Sequence, residues 1–376
     1  MSRFLLNGED LDVTPIEGSL QFVDGHHDEA KLSLTSATLT DTTEIINSTL
    51  SFYWGVSPHG EVFTGYVTEV VEESQGATGA LTFSMTVLGA TREMYVGSPG
   101  FWLRKSVTDA VRDLAGKSLL GFYGHDHTFL WSALAQTGET DWVFANSLAN
   151  KIGWRLWSRY GCLLLFDPLK LFTESGSYCR LFTGTPEDYS TDRVLLEFMP
   201  NEVEESSIKT RGTRYGYFTS AGVPQVVETS GEHDTFNFKT DLVIADQDAA
   251  TAYVDADRSD LDTWKQSAIA RIWGDADIYP GMCVDVQTTN RRYMRNKFDG
   301  KWLVRASSHK MDRQQYQTLL YLVRPASTTA AGIGSYTPFW RITDISAAKP
   351  SLSINEGKWL SSKANRTVAA ALGGAR

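Results

Sequence analysis

Cysteine is scarce in this chain: three in 376 residues, Cys162, Cys179 and Cys283, with no C-x-x-C pair. An odd, scattered set excludes a disulfide scaffold and a cysteine zinc knuckle, and it fits synthesis in a reducing compartment. Positive charge is also short. Lys and Arg number 35 against 45 acids, a formal charge of −10, which excludes a chain-wide attraction to phosphate backbones. Long apolar runs are missing. Leu163–Phe166 is typical of the longest, against the roughly 18 to 20 residues of a membrane span. The start, Met1 to Asp10, turns polar too soon for a signal peptide. The expectation is a soluble protein without a membrane anchor. No phosphate-cradling G-x-x-x-x-G-K-[ST] or G-x-G-x-x-G loop occurs, and no G-x-S-x-G elbow offers a nucleophile.

What is present is an ordinary globular composition, 42% hydrophobic and 21% charged, with a generous 12% aromatics that include 11 Trp. At about 150 residues per domain the length predicts two or three domains. The first hundred residues alternate apolar and polar: Leu32 and Leu34, then Leu50, Phe52, Trp54 and Val56, then Leu81, Phe83, Met85 and Val87. Period two means strands with one buried face. Turn formers separate them at Asp24-Gly25, 57–60 and 74–79.

The pattern then turns helical. Leu103, Val107, Ala110, Val111 and Leu114 recur at helical spacing, with Gly116 as the stop. A second helix is predicted over 140–152, with Thr140 as N-cap and Gly153 as C-terminal stop. A hairpin follows, Trp154–Trp157 and Cys162–Phe166 around Gly161. Strands return at Val194–Phe198 and Val223–Glu228. Asp246–Gly274 reads as helical, broken near Ser259, with Leu261, Trp264, Ala268, Ile269 and Ile272 as its apolar stripe. Cys283–Gln287, Lys301–Ser307 and Thr318–Val323 are strands again. The fold class is therefore mainly β (α+β). The predicted units are a first barrel at 1–100, an α/β insertion at 101–190, a second barrel with helices at 191–325, and a linker and extended arm at 326–376.

An internal echo runs through the two β stretches. Strand, turn, a Gly-led aromatic strand (Gly60 to Phe63; Gly300 to Trp302), polar loop and alternating strand occur in both.

Chemistry is hard to place on this scaffold. His26-His27-Asp28 and His125-Asp126-His127 have metal-ligand residue types, but both sit in Gly-flanked turns and read as solvated loops. Asp255, Asp257, Asp260 and Asp262 lack the Gly and terminal Glu of a calcium loop and read as helix N-terminal charges. Glu202, Glu204 and Glu205 read as a charged edge strand that discourages aggregation. His309 reads as a structural strand histidine. No catalytic, cofactor-binding or metal residues are nominated.

Two stretches resemble phage tail hub proteins. The first is Asp141-Trp142-Val143-Phe144, Leu148-Ala149, Ile152-Gly153-Trp154, Gly161 and Leu163–Pro168. The second is Tyr279-Pro280-Gly281-Met282-Cys283-Val284, Gly300–Val304, His309 and Tyr316–Arg324. They look like the insertion and the closing barrel of the contractile-tail baseplate hub, the late control protein D type and the hub half of the VgrG spike. The resemblance anchors about 141–324. It implies a homotrimer of two tail-tube-like antiparallel β-barrels per chain. Such a trimer adapts a sixfold tube to a threefold spike and lines a channel that DNA only passes through. Its partners would be the tail tube or distal tail protein, the central spike protein and other baseplate proteins, in the virion after assembly in host cytoplasm. Trp142, Gly153, Pro280, Gly281, Gly300 and Trp302 are the expected architectural positions. The aromatics Phe339, Trp340 and Trp359 on the arm are partner-contact candidates. Two other readings stand beside this one: a tail-associated cell-wall or polysaccharide hydrolase, and a carbohydrate-binding attachment protein suggested by the aromatics.

Overall fold

The computed structural model describes residues 2–325 except 40–41, 55–60, 76–79, 98, 160, 185–191, 203–210, 219–222, 229–234, 241–246, 249, 255, 257–263, 265 and 289–296. The expected arm, the Asp255–Asp262 acids, Glu204 and Glu205 lie outside the described residues, as do Gly60, Phe339, Trp340 and Trp359.

The N-terminal part holds β1 (Arg3–Leu6), β2 (Glu9–Asp10), β3 (Thr14–Val23), β4 (Glu29–Ser36), β5 (Thr49–Tyr53), β6 (Glu61–Gln75) and β7 (Leu81–Leu88). The middle holds β8 (Gly100–Lys105), α1 (Val107–Lys117), β9 (Gly121–Gly124), β10 (Trp131–Gln136), α2 (Asp141–Lys151), β11 (Arg155–Arg159), β12 (Cys162–Phe166) and α3 (Pro168–Glu174). After it come β13 (Arg180–Phe182), β14 (Asp192–Glu202), β15 (Arg211–Phe218), β16 (Pro224–Glu228), β17 (Thr235–Thr240), β18 (Gln266–Trp273), β19 (Cys283–Gln287), β20 (Gly300–Asp312) and β21 (Tyr316–Arg324).

One sheet carries both β parts, in the order β19-β13-β14-β18-β21-β20-β3-β4-β7-β6-β5-β1-β2. Because β19 also pairs with β20, the first six of these strands close into a barrel. The mainly β, α+β class holds. Strand β13 runs parallel to both its neighbours, the one departure from antiparallel pairing in that barrel. The N-terminal strands pack on a core continuous with that of the barrel, and among the described residues β1 and β3 are not paired with each other.

The echo in the sequence is a duplication in the topology. The order β3-β4-β7-β6-β5 repeats as β14-β18-β21-β20-β19. Register fixes the correspondence residue by residue. Glu17 pairs with Ser33 and Ser33 with Ser84, as Glu197 pairs with Arg271 and Arg271 with Leu319. The one-residue bulges coincide: Ile16 in β3 with Leu196 in β14, and Thr68 in β6 with Arg305 in β20. The sequence echo had the frame two residues off. Register sets Gly65, not Phe63, at the place of Trp302, and Phe63 at the place of Gly300. Small and large residues have changed places, so matching aromatic to aromatic misaligns the copies.

Helix α1 begins at Ser106, whose hydroxyl accepts from the Asp109 amide, and runs through Gly116 to Lys117. Leu103 lies outside it, exposed in β8. The positive φ that ends this turn belongs to Leu119 (57°) rather than to a glycine. Helix α2 starts at Thr140 as predicted, and Gly153 (φ 71°) follows its end. The predicted helix over 246–274 fails in its second half. Residues 250–254 are helical, but β18 is a strand with Gln266, Ala268, Ala270 and Ile272 inward. Trp264, Ala268 and Ile272 are four apart, a spacing that fits a helical face and strand alternation equally. Pairing with β14 and β21 decides it.

Strands β9, β12 and β11 form a wall between two cores. Trp157, Cys162, Leu164 and Phe166 face the core shared by the barrel and the N-terminal strands, while Leu156, Leu163 and Leu165 face a second core with α1, α2, Tyr215 and Tyr217. A strand buried on both faces reads as an unbroken apolar run, which is why Cys162–Phe166 has no alternation. Among the described residues no helix is long and apolar enough to cross a membrane.

Candidate assembly interface

The seam between the copies is an antiparallel ladder, Ala306–Asp312 of β20 against Val23–Glu17 of β3. His309 sits beneath it, fully buried. Its Nδ1 lies 2.9 Å from Thr318 Oγ1 and 3.2 Å from the Tyr316 hydroxyl, its Nε2 3.3 Å from Ser307 Oγ, and its ring meets Phe22 edge-on at 5.6 Å. Burial, helped by the Arg159 charge, pushes its pKa down to about 3, so it is a neutral hydrogen-bonding wedge.

Charge pins the seam from outside. The bulge residue Arg305 donates to the Asp24 carboxylate just past β3, and Arg155 of the insertion approaches the same carboxylate at 3.7 Å. Asp28, also buried, accepts from Ser158 Oγ at 2.9 Å, and burial lifts its pKa to about 7. Arg159 lies over Phe22 and Tyr279 and donates to the Ala276 carbonyl at 3.2 Å, tying the hairpin to both copies.

Two edges of this sheet lie where the seam would repeat. Strand β5 pairs with β6 only as far as Tyr66, and among the described residues no strand pairs with that edge beyond it. Strand β13 covers β14 only over Asp192–Val194, so among the described residues 195–202 pair on one side alone, with β18. By register β6 is the counterpart of β20, and β14 that of β3. Glu69, Glu72 and Glu73 on one edge and Pro200 on the other are residue types that discourage indiscriminate pairing.

The face of the sheet over the seam is a polar trough of about 420 Å³, lined by Glu17, Ser19, Lys31, Ser84, Ser308 and Lys310 among others.

The six architectural candidates fall in two groups. Trp142 is buried on α2, its ring 4.8 Å from that of His27. At Gly153 an added Cβ would meet the Ala256 carbonyl at 3.2 Å. Pro280 and Gly281 are buried in the turn before β19. Gly281 has φ 88°, and its Cβ position lies 2.2 Å from Trp157 Cζ2. Gly300 opens β20 with φ 118°. Trp302 is fully buried, donates to the Phe298 carbonyl at 3.0 Å and carries the Arg324 guanidinium 4.4 Å above its ring. Only a glycine lets the turn before β19 pack this closely on Trp157 of β11, a contact no spacing in the sequence announces.

The histidine turns are solvated in part: His26 and Asp126 are exposed, while the other histidines pack. His27 lies between Tyr95 and Trp142 and hydrogen-bonds Thr91 at 2.8 Å, and burial pushes its pKa to about 4. His125 is buried between Phe166 and Trp154, with Asp167 N–H donating to its Nδ1 at 3.3 Å. His127 packs edge-on to Trp154. The aromatic neighbours come from 95, 142, 154 and 166, too far along the chain for a local pattern to foretell. Among the described residues no three His, Cys, Asp or Glu side chains converge as a metal site.

No known family pattern matches the sequence, and no curated protein matches it. Solved structures do. A tail protein from Neisseria meningitidis MC58 superposes with TM-score 0.60 at 13% identity, over 86% of this chain and 96% of its own. The 43 kDa tail protein of prophage MuSo2 from Shewanella oneidensis gives 0.62 at 13%, over 86% and 99%. The E. coli c3393 protein, a component of the type VI secretion system described as similar in structure to the T4 tail proteins gp27 and gp5, gives 0.57 at 10%, over 89% and 80%. The chain has the fold of these tail proteins.

Proposed function

We propose that the chain is a structural subunit of a phage tail baseplate, or of a related injection particle, and that three copies close into a hub. The observation that carries this reading is the duplicated sheet with its internal seam. Residues 306–309 of β20 pair with 23–20 of β3, and the same step applied once more brings β6 of one copy to β14 of the next, with Val71 opposite Asn201 and Glu72 opposite Pro200. Repeating a heterologous contact through a closed rotation makes a ring. Two barrel units per chain and three chains give six similar positions, the number that joins a sixfold tube to a threefold spike. The shared fold with tail proteins supports the setting. The polar sheet face would line the channel, and the acidic balance of the chain suits a passage for DNA that must not adhere. Tube, spike and other baseplate proteins are the partners on this reading, and the work is geometry rather than catalysis.

Light scattering on the purified full chain tests it. A mass three times 41.8 kDa, with a ring open at its centre in electron micrographs, is the expected result. A monomer at every concentration, or a twofold particle, overturns the threefold hub.

A further inference from the structure

The two copies of the sheet present the same face in the same register, yet with opposite chemistry. In the N-terminal copy Ser19, Lys31 and Thr86 stand in one cross-strand row. Their counterparts are Met199, Ile269 and Tyr321, directly opposite one another across β14, β18 and β21. The next rows contrast Ser84 with Leu319 and Thr35 with Trp273. Met199, Ile269, Tyr321, Leu319 and Trp273 are 38–48% exposed. An apolar row on one copy and a polar one on the other cannot follow from the fold, which both share. Leu319 shares its row with the Glu197–Arg271 ion pair and Trp273 pairs with Gln317, so the unbroken apolar strip is Met199–Ile269–Tyr321, and an exposed apolar strip of this kind marks an interaction site.

We propose that this row is the docking site for the chain's own C-terminal segment, through the aromatic stretch 336–340. Three observations select that occupant. First, β21 ends at Arg324, three residues past Tyr321, so the remaining 326–376 leave the fold beside the row. The 13 residues between Pro325 and Phe339 can span about 40 Å at roughly 3.3 Å each, and the row is only three strands wide, about 10 Å at 4.8 Å per strand. Second, the segment carries Tyr336, Phe339, Trp340, Trp359 and Leu360, matched to the exposed Tyr321 and Trp273. Third, its last stretch, 349–376, holds five Lys or Arg and one Glu, whereas the face beyond the row carries Glu17, Glu29, Glu69 and Glu73 against Lys31 and Lys310, with Glu29 already paired to Lys31. Tethering supplies a millimolar effective concentration, so even a weak aromatic contact is populated. The arm aromatics Phe339 and Trp340 thus cover this chain's own sheet before any partner arrives.

The test uses the full chain with p-benzoylphenylalanine in place of Tyr321. Irradiation followed by peptide mass spectrometry should join position 321 to a peptide from 326–376, and mixing isotope-labelled with unlabelled chains should show the link within one chain. Links only to another copy, or none to 326–376, overturn the proposal. Independently, the paired change Ile269→Lys and Tyr321→Lys should raise the rate of chymotryptic cleavage after Phe339 and Trp340 at least tenfold, with the circular dichroism spectrum unchanged. Thr86→Lys at the equivalent place in the N-terminal copy should leave cleavage as it is. An unchanged rate in the paired variant, or an equal rise with Thr86→Lys, refutes it. The ring is judged separately by solution mass, so either idea can fail alone.

Discussion

Replacing Gly281 by alanine should be among the most damaging single-methyl additions to this chain. Its φ of 88° is left-handed, and the added Cβ would lie 2.2 Å from Trp157 Cζ2. The backbone term costs about 1–2 kcal/mol for an L-residue, and forcing a methyl into a packed contact costs about 1–3 kcal/mol. Together they remove about 2–5 kcal/mol from a total of roughly 5–15 kcal/mol. Urea unfolding followed by tryptophan fluorescence reads the loss, with Gly138→Ala as control. Nothing lies within 4 Å of a Cβ there, so its change should stay within about 0.5 kcal/mol. A double-mutant cycle with Trp157→Leu separates the terms. Removing the ring relieves the clash but not the φ strain, so a coupling of about 1–3 kcal/mol is expected. A Gly281→Ala variant within about 0.5 kcal/mol of the parent, or additive behaviour in the cycle, would refute this packing role.

Other consequences follow from the same geometry. Val71→Glu with Asn201→Glu should lower the solution mass from trimer to 41.8 kDa, while Val71→Glu with Asn201→Lys should restore it. A mass indifferent to both pairs removes β6 and β14 from the interface. Asp28 titrates near 7 when folded and near 4 unfolded, so its contribution is complete below the unfolded pKa and is lost as pH rises through 7. Asp28→Asn should therefore gain on the parent between pH 4 and 7, by about 1.4 kcal/mol per pH unit, as read by urea midpoints; a flat difference sinks the assignment. His309 has the opposite sign. Its folded pKa of about 3 lies below the unfolded value, so its contribution is present above about 6.5 and falls as the solution is acidified. His309→Asn should flatten that acid limb. The buried thiols of Cys179 and Cys283 have raised pKa values through burial, that of Cys283 reaching about 12. Both should resist iodoacetamide at pH 8 until denaturant is added.

Legibility in the sequence followed the range of the interactions. The β11–β12 hairpin and α2 could be read because Thr140, Gly153 and Gly161 act on their nearest neighbours. Helix α3 has an equally local signal, Asp167 accepting from the Leu169 and Lys170 amides with Pro168 in the first turn; in the sequence those two residues carried only the family resemblance. Strand β18 reads as helix in the sequence because its partners lie some 50 to 70 residues away in β14 and β21, and spacing by four does not choose between helix and strand. The duplication was visible as an order of elements, but its frame was lost where Phe63–Gly65 and Gly300–Trp302 exchange bulk. The edges of β6 and β14 are properties of what fails to pair with them, and no pattern within either strand states that.

Strand β20 belongs to both halves at once: its first residues pair with β19, its later ones with β3, and β21 flanks nearly its whole length. A single backbone in register on both sides acts as a beam, and the Arg305–Asp24 and Arg155–Asp24 contacts brace it where it crosses. A swivel between the two halves of one chain would have to break this ladder. In an assembled ring, compliance would reside in three joints between copies and not in six between barrels, so dilation or twist of the channel would proceed as the relative motion of three stiff pairs.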